Sequence, residues 1–505
     1  MTAAAPRTRP NVLILMSDEQ RWDTLGHAGN PAARTSHLDA LAQESTSFDA
    51  CYTPFPLCCP SRTSLWTGRM PRHHHVLGNW RAIRPDLADG GLAQAFRAAG
   101  YHTLYCGKWH VPGTTPQRMG FADTAAIPAV LNGKDRGRYI EPYRAHASGL
   151  GYDLLDDHIE NLTAADAHAL RQTPHRGTAR IPYEHFLEPW QTGEFLRALD
   201  RRPDDQPWLA VCSYNAPHFP MIVPEPYDRI IDRERIRLPA GLGTAGAGKP
   251  REVADSGFAH RYAGLDEHGW TELIAHYLGL CALIDTQVGT VLEHLRRSGD
   301  LDHTIVVFTS DHGDMMGAHG LMEKGHLLHY EEALRVPLLI RHPDATGGGV
   351  RTSNPVSVVD VAATLAELAG VPWDEADDGI SAAAMVGAPH ARATRAHVTS
   401  ESVLYGMSAD AAGQYVDPAT WDPATDALNL SIRTPQLRYI YRSRDIDELY
   451  DHTDDPHEQH NRAAGPQYAA HRAELRRLLA EEVADVFGTV AAGLTPDKAY
   501  QLEEQ

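Results

Sequence analysis

Four short apolar segments recur along the chain, and each one ends in a cluster of polar side chains. Their residues are mostly β-branched or aromatic, and helical patterns lie between them, which is typical of buried strands in a largely parallel sheet. The segments are NVLILMSDEQ (11–20), YHTLYCGKWH (101–110), PWLAVCSYNAPH (207–218) and TIVVFTSDHGD (304–314). Because ligands bind beyond the carboxyl ends of the strands in such sheets, we expect the four polar clusters to converge on one edge.

Two helices are predicted between these strands from the spacing of their apolar residues. The segment 90–100, GGLAQAFRAAG, has the pattern of a short amphipathic helix that ends at a glycine. The segment 270–299 has apolar residues three and four positions apart, arginines in its last turn and a final glycine, which together predict a long helix. The alternation of strands and helices predicts a layered α/β domain.

A change of pattern near residue 387 predicts a second, smaller domain. Residues 427–459 alternate between apolar and polar positions with turn residues between the segments, which predicts a small antiparallel sheet. Residues 467–487 have the pattern of a final amphipathic helix. We therefore expect a large α/β domain over residues 1–387 and a small α+β domain over residues 388–505.

Length and charge narrow the classes of partner. The chain has 505 residues, more than the ~250–300 at which a single core stops growing, which agrees with two domains. Its 46 basic and 66 acidic residues give a net charge of −20, which argues against nucleic acid or an anionic membrane as a partner. The apolar run Val12–Met16 is far below the ~20 residues that span a bilayer, and no secretory signal precedes it. We expect a cytoplasmic protein.

Acidic and imidazole side chains follow the first and last of the four predicted strands. Asp18 and Glu19 come after the first strand, and Asp311 and His312 come after the last. Carboxylate oxygens with one imidazole suit a divalent cation such as Ca²⁺, Mg²⁺ or Mn²⁺. One such pair alone would more simply cap a helix or face water, but two pairs at one sheet edge favour a metal site.

A set of cationic and hydrogen-bonding side chains is expected at the same edge. Taken singly, each lysine would ordinarily lie on a solvated face, and His110 could equally be a core histidine. Their shared position near a proposed metal suits a pocket for an anion, and Arg62 adds a rigid bidentate fork. The set consists of Arg62, Lys108, His110, His218 and Lys324.

Two adjacent cysteines open the stretch LCCPSRTSLWTGR (57–69). Adjacent cysteines rarely bridge each other and the chain contains no CxxC, so all six cysteines are expected to be free thiols. We expect a helix that starts near Pro60 and ends at Gly68, with Cys58 and Cys59 just before it, where the positive helix end lowers the pKa of a thiol. The alternative is that both are small buried apolar residues, and these residues alone do not decide between the two.

The sequence CCPSRTSLWTGR resembles the sulfatase signature Cys-X-Pro-Ser-Arg followed by Thr-Gly-Arg, with Cys58 in the first position. The resemblance extends in order through NVLILMSDEQRWDTLG, GYHTLYCGKWH, APHFP, SDHGDMMGAHGL, RVPLLIRHP and ELYDHTDDPHEQHN. The chain is thus similar to the type I, formylglycine-dependent sulfatases of the alkaline phosphatase superfamily. This resemblance implies a large mixed, mostly parallel sheet flanked by helices in a catalytic domain over residues 1–387.

The resemblance also implies a chemistry for position 58. Cys58 would be oxidised to Cα-formylglycine by a formylglycine-generating oxidase that reads Pro60 and Arg62. One hydroxyl of the hydrated aldehyde would attack the sulfur and expel the alcohol, and the other would help the sulfated hemiacetal collapse to the aldehyde and sulfate. A plain alcohol nucleophile would instead leave a stable ester that needs a separate attack by water.

The resemblance assigns further roles residue by residue. Arg62, Lys108 and His110 would orient and assist the hydrate. His218 and Lys324 would contact the sulfate and assist the leaving group, and Asn79 resembles a residue that contacts substrate. One divalent cation, Ca²⁺ in the first place and Mg²⁺ or Mn²⁺ as alternatives, would be held by Asp18, Glu19, the oxygen of converted Cys58, Asp311 and His312.

The sequence departs from the family pattern in places, and rival functions stay open. Glu19 stands where many members have Asp, His312 replaces the Asn of many animal-type enzymes, and His326 could share the role of Lys324. We expect a sulfatase acting on an aryl or small organic sulfate. The first rival is a phosphonate monoester or phosphodiester hydrolase on the same scaffold. The second is a non-catalytic anion- or metal-binding protein with Cys58 unoxidised.

Three further points stay open in the sequence. Trp80 and Trp109 could line an aromatic subsite or pack in the core. The alcohol that leaves is unreadable from these residues. A homo-oligomer is compatible with the sequence.

Overall fold

A computed structural model of the chain describes residues 9–79, 81–126, 136–152, 176–244, 246–260, 262–345, 347–373, 378–388, 390–404 and 426–487. The strands are β1 (Asn11–Ser17), β2 (Thr46–Phe48), β3 (Cys51–Tyr52), β4 (His102–Gly107), β5 (Asp123–Ala125), β6 (Arg176–Thr178), β7 (Trp208–Ser213), β8 (Met221–Val223), β9 (Thr304–Ser310), β10 (Arg335–Val336), β11 (Leu338–Arg341), β12 (Val350–Thr352), β13 (Val356–Ser357), β14 (Val398–Leu404), β15 (Ala427–Arg433), β16 (Leu437–Arg442) and β17 (Glu448–Asp451).

The helices are α1 (Ser36–Gln43), α2 (Cys58–Thr67), α3 (Pro71–His74), α4 (Leu92–Ala98), α5 (Arg136–Gly149), α6 (Leu187–Asp200), α7 (Arg251–Ala254), α8 (Gly257–His260), α9 (Glu267–Ser298), α10 (Glu331–Leu334), α11 (Asp360–Leu368) and α12 (Ala469–Val483). None of the helices in the described part of the chain is long and apolar enough to cross a bilayer.

The central sheet has eight strands in the order β12-β2-β11-β9-β1-β7-β4-β5. Of these strands only β11 runs against the others, so the sheet is mixed and mostly parallel, as predicted. The four predicted strands lie side by side as β9, β1, β7 and β4. Ser17 pairs with Ser310 and Gly107 pairs with Ser213, so their carboxyl ends are level. The polar residues that follow them therefore meet at one edge.

Apolar layers cover both faces of this sheet. Along β1, Leu13 and Leu15 belong to a core shared with α9, while Val12, Ile14 and Met16 belong to a core shared with α4 and α11. Every residue of β1 is buried, and burying each of its five apolar side chains, Val12–Met16, contributes about 1.5–3 kcal/mol. The uninterrupted apolar run in the sequence is thus explained by a strand that is covered on both sides.

The long helix α9 begins three residues earlier than its apolar spacing predicts. The side chain of Asp266 accepts a hydrogen bond from the Gly269 N–H at 2.8 Å and so caps the helix before Glu267. Gly299 ends the helix in the left-handed conformation, with φ of 78°.

The C-terminal part contains the predicted antiparallel sheet and helix. Its four strands have the order β14-β15-β16-β17, and α12 packs on them through an apolar core. Strand β14, which precedes the predicted region, joins as an edge strand paired with β15. The division at residue 387 remains a prediction.

Candidate active site

Helix α2 places the two adjacent cysteines at its very start. Cys58 and Cys59 are the first two residues of the helix rather than the residues before it, and Pro60 is the third. All ten residues of α2 are buried. The expected lowering of the thiol pKa is therefore wrong, because burial, reinforced by the Asp18 carboxylate, raises the pKa of Cys58 to about 12. All six cysteines lie among the described residues, and each is a free thiol.

The side chains that follow β1 and β9 surround Cys58. Its Sγ lies 3.1 Å from His312 Nε2 and 3.8 Å from Asp18 Oδ1. The Nδ1–H of His312 donates to the Gly313 carbonyl at 2.8 Å, so the Nε2 lone pair faces Cys58. Ligand atoms of Asp18, Cys58, Asp311 and His312 all lie within 4.8 Å of one another, and all four residues are buried.

Arg62, one turn into α2, connects the strand ends. Its Nη2 donates to Asp18 Oδ2 at 2.7 Å and its Nε donates to Asp311 Oδ2 at 2.8 Å. Its Nη1 donates to the Lys108 carbonyl at 3.0 Å and to Ser213 Oγ at 2.8 Å. A single guanidinium therefore holds the carboxyl ends of β1, β9, β4 and β7 in register. Ser213 was not selected from the sequence, because one serine after a strand carries no signal.

Lys108 adds a second cation beside Asp18, with Nζ 2.7 Å from Oδ2. Burial alone would raise the pKa of Asp18, but Lys108 and Arg62 outweigh burial and hold this pKa well below its ordinary value. The carboxylate is therefore charged at neutral pH, with Oδ2 bound by both cations and Oδ1 turned towards Cys58.

Glu19, Lys324 and His218 form the next group along the edge. Lys324 Nζ lies 2.5 Å from Glu19 Oε2 and donates to His218 Nε2 at 2.9 Å. The Nδ1–H of His218 donates to the Phe219 carbonyl at 2.6 Å. Burial, together with Lys324, holds the pKa of His218 well below its ordinary value, so the ring is neutral and accepts from the lysine. Burial also opposes the charge on Lys324, but the Glu19 carboxylate outweighs it and raises the pKa of Lys324.

The backbone of Glu19 is left-handed, with φ of 67°, and is held in place on both sides. Its N–H donates to Asp311 Oδ1 at 3.0 Å. The Tyr277 hydroxyl, from the middle of α9, donates to the Glu19 carbonyl at 2.7 Å and accepts from the Arg21 N–H at 2.9 Å. Tyr277 was missed from the sequence because it lies 258 residues away from Glu19 on a helix that otherwise looks like plain core.

The donor set fits a divalent cation. Asp18 Oδ1, an Asp311 carboxylate and the lone pair of His312 Nε2 lie together around Cys58. Glu19 Oε1 is buried and, among the described residues, has no hydrogen-bond partner. An unpaired buried carboxylate oxygen is costly unless a cation satisfies it, and mixed oxygen and imidazole ligands suit such an ion.

The sequence profile of the sulfatase family matches residues 10–371, more than half of the chain. The chain belongs to the sulfatase family. The profile of the C-terminal part of N-sulphoglucosamine sulphohydrolase also matches, over residues 317–485.

Individual relatives agree with this assignment. They are themselves sulfatases, which supports sulfuric ester hydrolase activity for this sulfatase. An ulvan-active sulfatase of Formosa agariphila is 26% identical over 95% of this chain and 82% of its own. A choline-sulfatase of Rhizobium meliloti is 28% identical over 92% of this chain and 85% of its own. The solved structure of a phosphonate monoester hydrolase of Agrobacterium radiobacter superposes with a TM-score of 0.77 at 24% identity, covering 95% of this chain and 96% of its own. That structure shows the shared fold.

Asn79 and His110 are the two other residues predicted for the sulfatase site. The Asn79 side chain accepts the Cys59 N–H at 3.0 Å, at the start of α2. His110 is buried with φ of 55°, and its Nδ1 has no hydrogen-bond partner within the described ranges. Burial, together with Lys108, holds the pKa of His110 well below its ordinary value.

Two aromatic positions have different outcomes. Trp109 is fully buried and stacks on Trp66 with ring centroids 6.3 Å apart, so it packs in the core of the sulfatase. Trp80 lies outside the described residues. His326, a candidate to share the role of Lys324, has its ring centroid 6.5 Å from that of Phe258.

Asp314 lies next to the site, although the sequence motif SDHGD, which contains it, led to no predicted role for this residue. Asp314, the last residue of SDHGD, accepts through Oδ1 from the N–H groups of Met316 at 2.6 Å and Glu323 at 3.2 Å. It thereby ties the start of the loop after β9 to the residue just before Lys324. Its position four residues after the strand was the available signal.

Proposed function

We propose that this sulfatase hydrolyses the sulfate monoester of an aryl or other small organic alcohol, with Cα-formylglycine made from Cys58 as the nucleophile. The observation that carries the proposal is the position of Cys58. Its Sγ stands at the start of α2 within reach of both His312 and Asp18, which come from two strands far apart in the sequence. An atom placed there lies among the candidate metal ligands and beyond the carboxyl ends of the strands, where sheets of this kind bind their ligands.

Asp18, Glu19, Asp311 and His312, with an oxygen of converted residue 58, would hold one divalent cation, which we take to be Ca²⁺ with Mg²⁺ or Mn²⁺ as alternatives. When bound, that cation supplies positive charge that polarises the sulfuryl group. Arg62 and Lys108 keep the Asp18 carboxylate ionised and fixed in direction, as its low pKa indicates.

Lys324 and His218 would bind the sulfate oxygens and the departing oxygen. The ammonium of Lys324 is a charged donor in a buried site, where such groups stabilise developing negative charge far better than in water. In the free protein the shared proton lies on Lys324, because His218 Nε2 accepts from it. His110 would accept a proton from a hydroxyl at position 58, and its buried Nδ1, which has no hydrogen-bond partner among the described residues, supports this role.

The charged side chains of the site do not distinguish a sulfate monoester from a phosphonate monoester, because both are monoanions. A comparison of the two with one shared leaving group makes the choice. The protein is produced with and without an aerobic formylglycine-generating oxidase, and the peptide spanning position 58 is examined by mass spectrometry. We expect the aldehyde only after co-production, and turnover of an aryl sulfate only in that sample.

Two results would contradict the proposal. An unmodified Cys58 in co-produced, folded protein would remove the nucleophile. Faster turnover of the aryl phosphonate than of the aryl sulfate would establish the phosphonate hydrolase instead. A panel of aryl, alkyl, choline and sugar sulfates then identifies the leaving alcohol.

A further inference from the structure

Lys324 lies on a long connection with little regular secondary structure. Between the end of β9 at Ser310 and the start of α10 at Glu331, all residues are described, and a 3₁₀ turn at Ala318–Gly320 is the one regular element. The backbone groups of such a segment pair partly within it and partly with the rest of the molecule. Before Lys324, the Met315 N–H donates to the Glu323 carbonyl at 2.9 Å inside the connection, and the Met322 N–H donates to the Phe258 carbonyl at 3.1 Å outside it.

After Lys324, two backbone carbonyls accept hydrogen bonds from side chains of the C-terminal sheet. The carbonyl of His326, two residues on, accepts from Ser402 Oγ of β14 at 2.5 Å and from Asn429 Nδ2 of β15 at 3.1 Å. The next carbonyl, of Leu327, accepts from Arg442 Nη2 of β16 at 3.0 Å. Three neighbouring strands of one sheet thus bind two consecutive carbonyls next to a predicted catalytic lysine.

A chain of hydrogen bonds sets the direction of the Ser402 hydroxyl. Ser431 Oγ donates to His329 Nδ1 at 3.1 Å, and His329 Nε2–H donates to Ser402 Oγ at 2.8 Å. The Ser402 proton is then free to be donated to the His326 carbonyl. The chain requires a neutral His329 ring, and burial holds the pKa of His329 well below its ordinary value. Ser402, Asn429, His329 and Ser431 are all buried, so water does not replace a lost partner.

We propose that Ser402 and Asn429 are positioning residues for Lys324. They fix the His326 carbonyl and so keep the Lys324 ammonium against Glu19 and His218, without touching the substrate or the reacting atoms. We call this pair of contacts the His326 clamp. Its mechanical part is a property of the chain alone, and only its effect on catalysis rests on the proposed function.

The clamp matters because the Lys324 site has little tolerance. The ammonium must serve Glu19 at 2.5 Å and His218 at 2.9 Å while it lies 4.4 Å above the Phe219 ring. A displacement of about 1 Å in such a site costs up to about 10²-fold in rate. We expect removal of both clamp donors to cost about tenfold in kcat/KM, because the upstream contacts remain.

Ser400 supplies a matched control. It lies two residues before Ser402 on the same face of β14, is also buried, and its Oγ donates to a carbonyl of the α/β part, that of Thr53, at 2.7 Å. Ser400→Ala therefore removes the same kind of contact between the C-terminal sheet and the rest of the chain, but not one next to Lys324. Ser402→Thr keeps a hydroxyl and tests rescue.

The experiment compares wild type, Ser402→Ala/Asn429→Ala, Asn429→Ala alone, Ser402→Thr and Ser400→Ala. The readouts are kcat and KM for an aryl sulfate, amide hydrogen exchange of residues 322–330, and affinity for inorganic sulfate. We expect the double variant to lose about tenfold in kcat/KM, exchange faster after Lys324 and bind sulfate more weakly. Ser402→Thr should lie within about threefold of wild type, and Ser400→Ala should match wild type in exchange of this segment.

The proposal is overturned if the folded double variant keeps the wild-type kcat/KM, or if Ser400→Ala loses as much. If the double variant does not fold, Asn429→Ala, which removes only the longer contact, carries the same comparison. A wild type that is converted at position 58 yet hydrolyses no sulfate ester would sink the proposed function. The His326 clamp is then tested by amide hydrogen exchange of residues 322–330 and by the affinity for inorganic sulfate. If the Ser402→Ala/Asn429→Ala variant has wild-type values of both, the clamp is refuted.

Discussion

Arg62 Nη2 donates to Asp18 Oδ2 at 2.7 Å, and neither side chain has any exposure to solvent. Arg62 also reaches Asp311, so one guanidinium is shared by two buried carboxylates, of which Asp18 is bound by Lys108 as well. Such a pair adds little net stability over apolar residues of the same size, but breaking it leaves uncompensated buried charge.

We therefore expect Arg62→Ala to lower the free energy of unfolding by about 3–5 kcal/mol. The measurement is chemical denaturation of unconverted protein in chelator, so that neither the aldehyde nor a cation contributes. Arg351→Ala is the control, because Arg351 pairs with Asp49 at 3.0 Å on the surface and should cost about 1 kcal/mol or less. Equal losses in the two variants would show that Asp18 and Asp311 do not need Arg62.

Cys58→Ala should abolish turnover, with a loss on the order of 10⁴-fold or more, while the circular dichroism spectrum stays that of wild type. Cys59→Ala should stay within about threefold of wild type, because the Cys59 thiol points to the Asn79 carbonyl at 3.7 Å and not into the site. Steady-state kinetics with an aryl sulfate check both. Substantial activity in the first variant, or a large loss in a folded second one, would reverse the assignment of the nucleophile.

Glu19→Gln should weaken divalent cation binding by about 10- to 100-fold, since a neutral amide replaces the carboxyl group whose Oε1 is buried without a hydrogen-bond partner among the described residues. Isothermal titration of chelator-treated protein with Ca²⁺, Mg²⁺ and Mn²⁺ measures the change and ranks the ions. Glu44→Gln, at an exposed pair with Arg341, is the control. An unchanged affinity would mean that Glu19 serves Lys324 and is not a ligand.

The stability of the contacts that α3 makes with Asp378 and with Asp485, two residues after α12, should depend on pH through His73. Its Nδ1 lies 2.7 Å from Asp378 and its Nε2 lies 2.6 Å from Asp485. Burial opposes protonation, but hydrogen bonding to Asp378 outweighs it and raises the pKa of His73. A raised pKa in the folded state gives stabilisation that is complete below the unfolded value near 6.5 and is lost as pH rises through the folded pKa.

His73→Asn should therefore cost about 1 kcal/mol at pH 5.5 and much less at pH 8.5, measured as the shift of the urea midpoint. His303→Asn, at an exposed site, corrects for the change of residue type. If the urea midpoints of wild type and His73→Asn differ by the same amount at pH 5.5 and at pH 8.5, the charge of His73 plays no part in stability.

The fold and the nucleus of the site could be predicted because both rest on local patterns combined with one general rule. The strands β1, β4, β7 and β9 can be recognised in the sequence as apolar runs. Parallel strands bring their carboxyl ends to the same edge of the sheet. That rule alone puts Asp18 next to Asp311, although 293 residues separate them.

The wrong prediction and the missed residues both depend on contacts between distant parts of the chain, which no local sequence pattern reveals. The thiol pKa was predicted from the helix end alone, whereas the complete burial of α2 decides its direction. Tyr277 looks like one more core residue of α9, and Ser402 and Asn429 look like ordinary strand residues. Only their hydrogen bonds to the carbonyls of Glu19 and His326, at 2.7, 2.5 and 3.1 Å, set them apart.

The burial of α2 also has a consequence in time. Cys58 and His312 are 254 residues apart, so at about 5–20 residues per second the ribosome needs roughly 13 to 50 s between them. During that interval β9 and the residues after it, including His312, do not yet exist, so the site around Cys58 is incomplete. The conversion proposed for Cys58 would therefore compete with its burial, and we expect slower synthesis between codons 58 and 312 to yield a larger converted fraction.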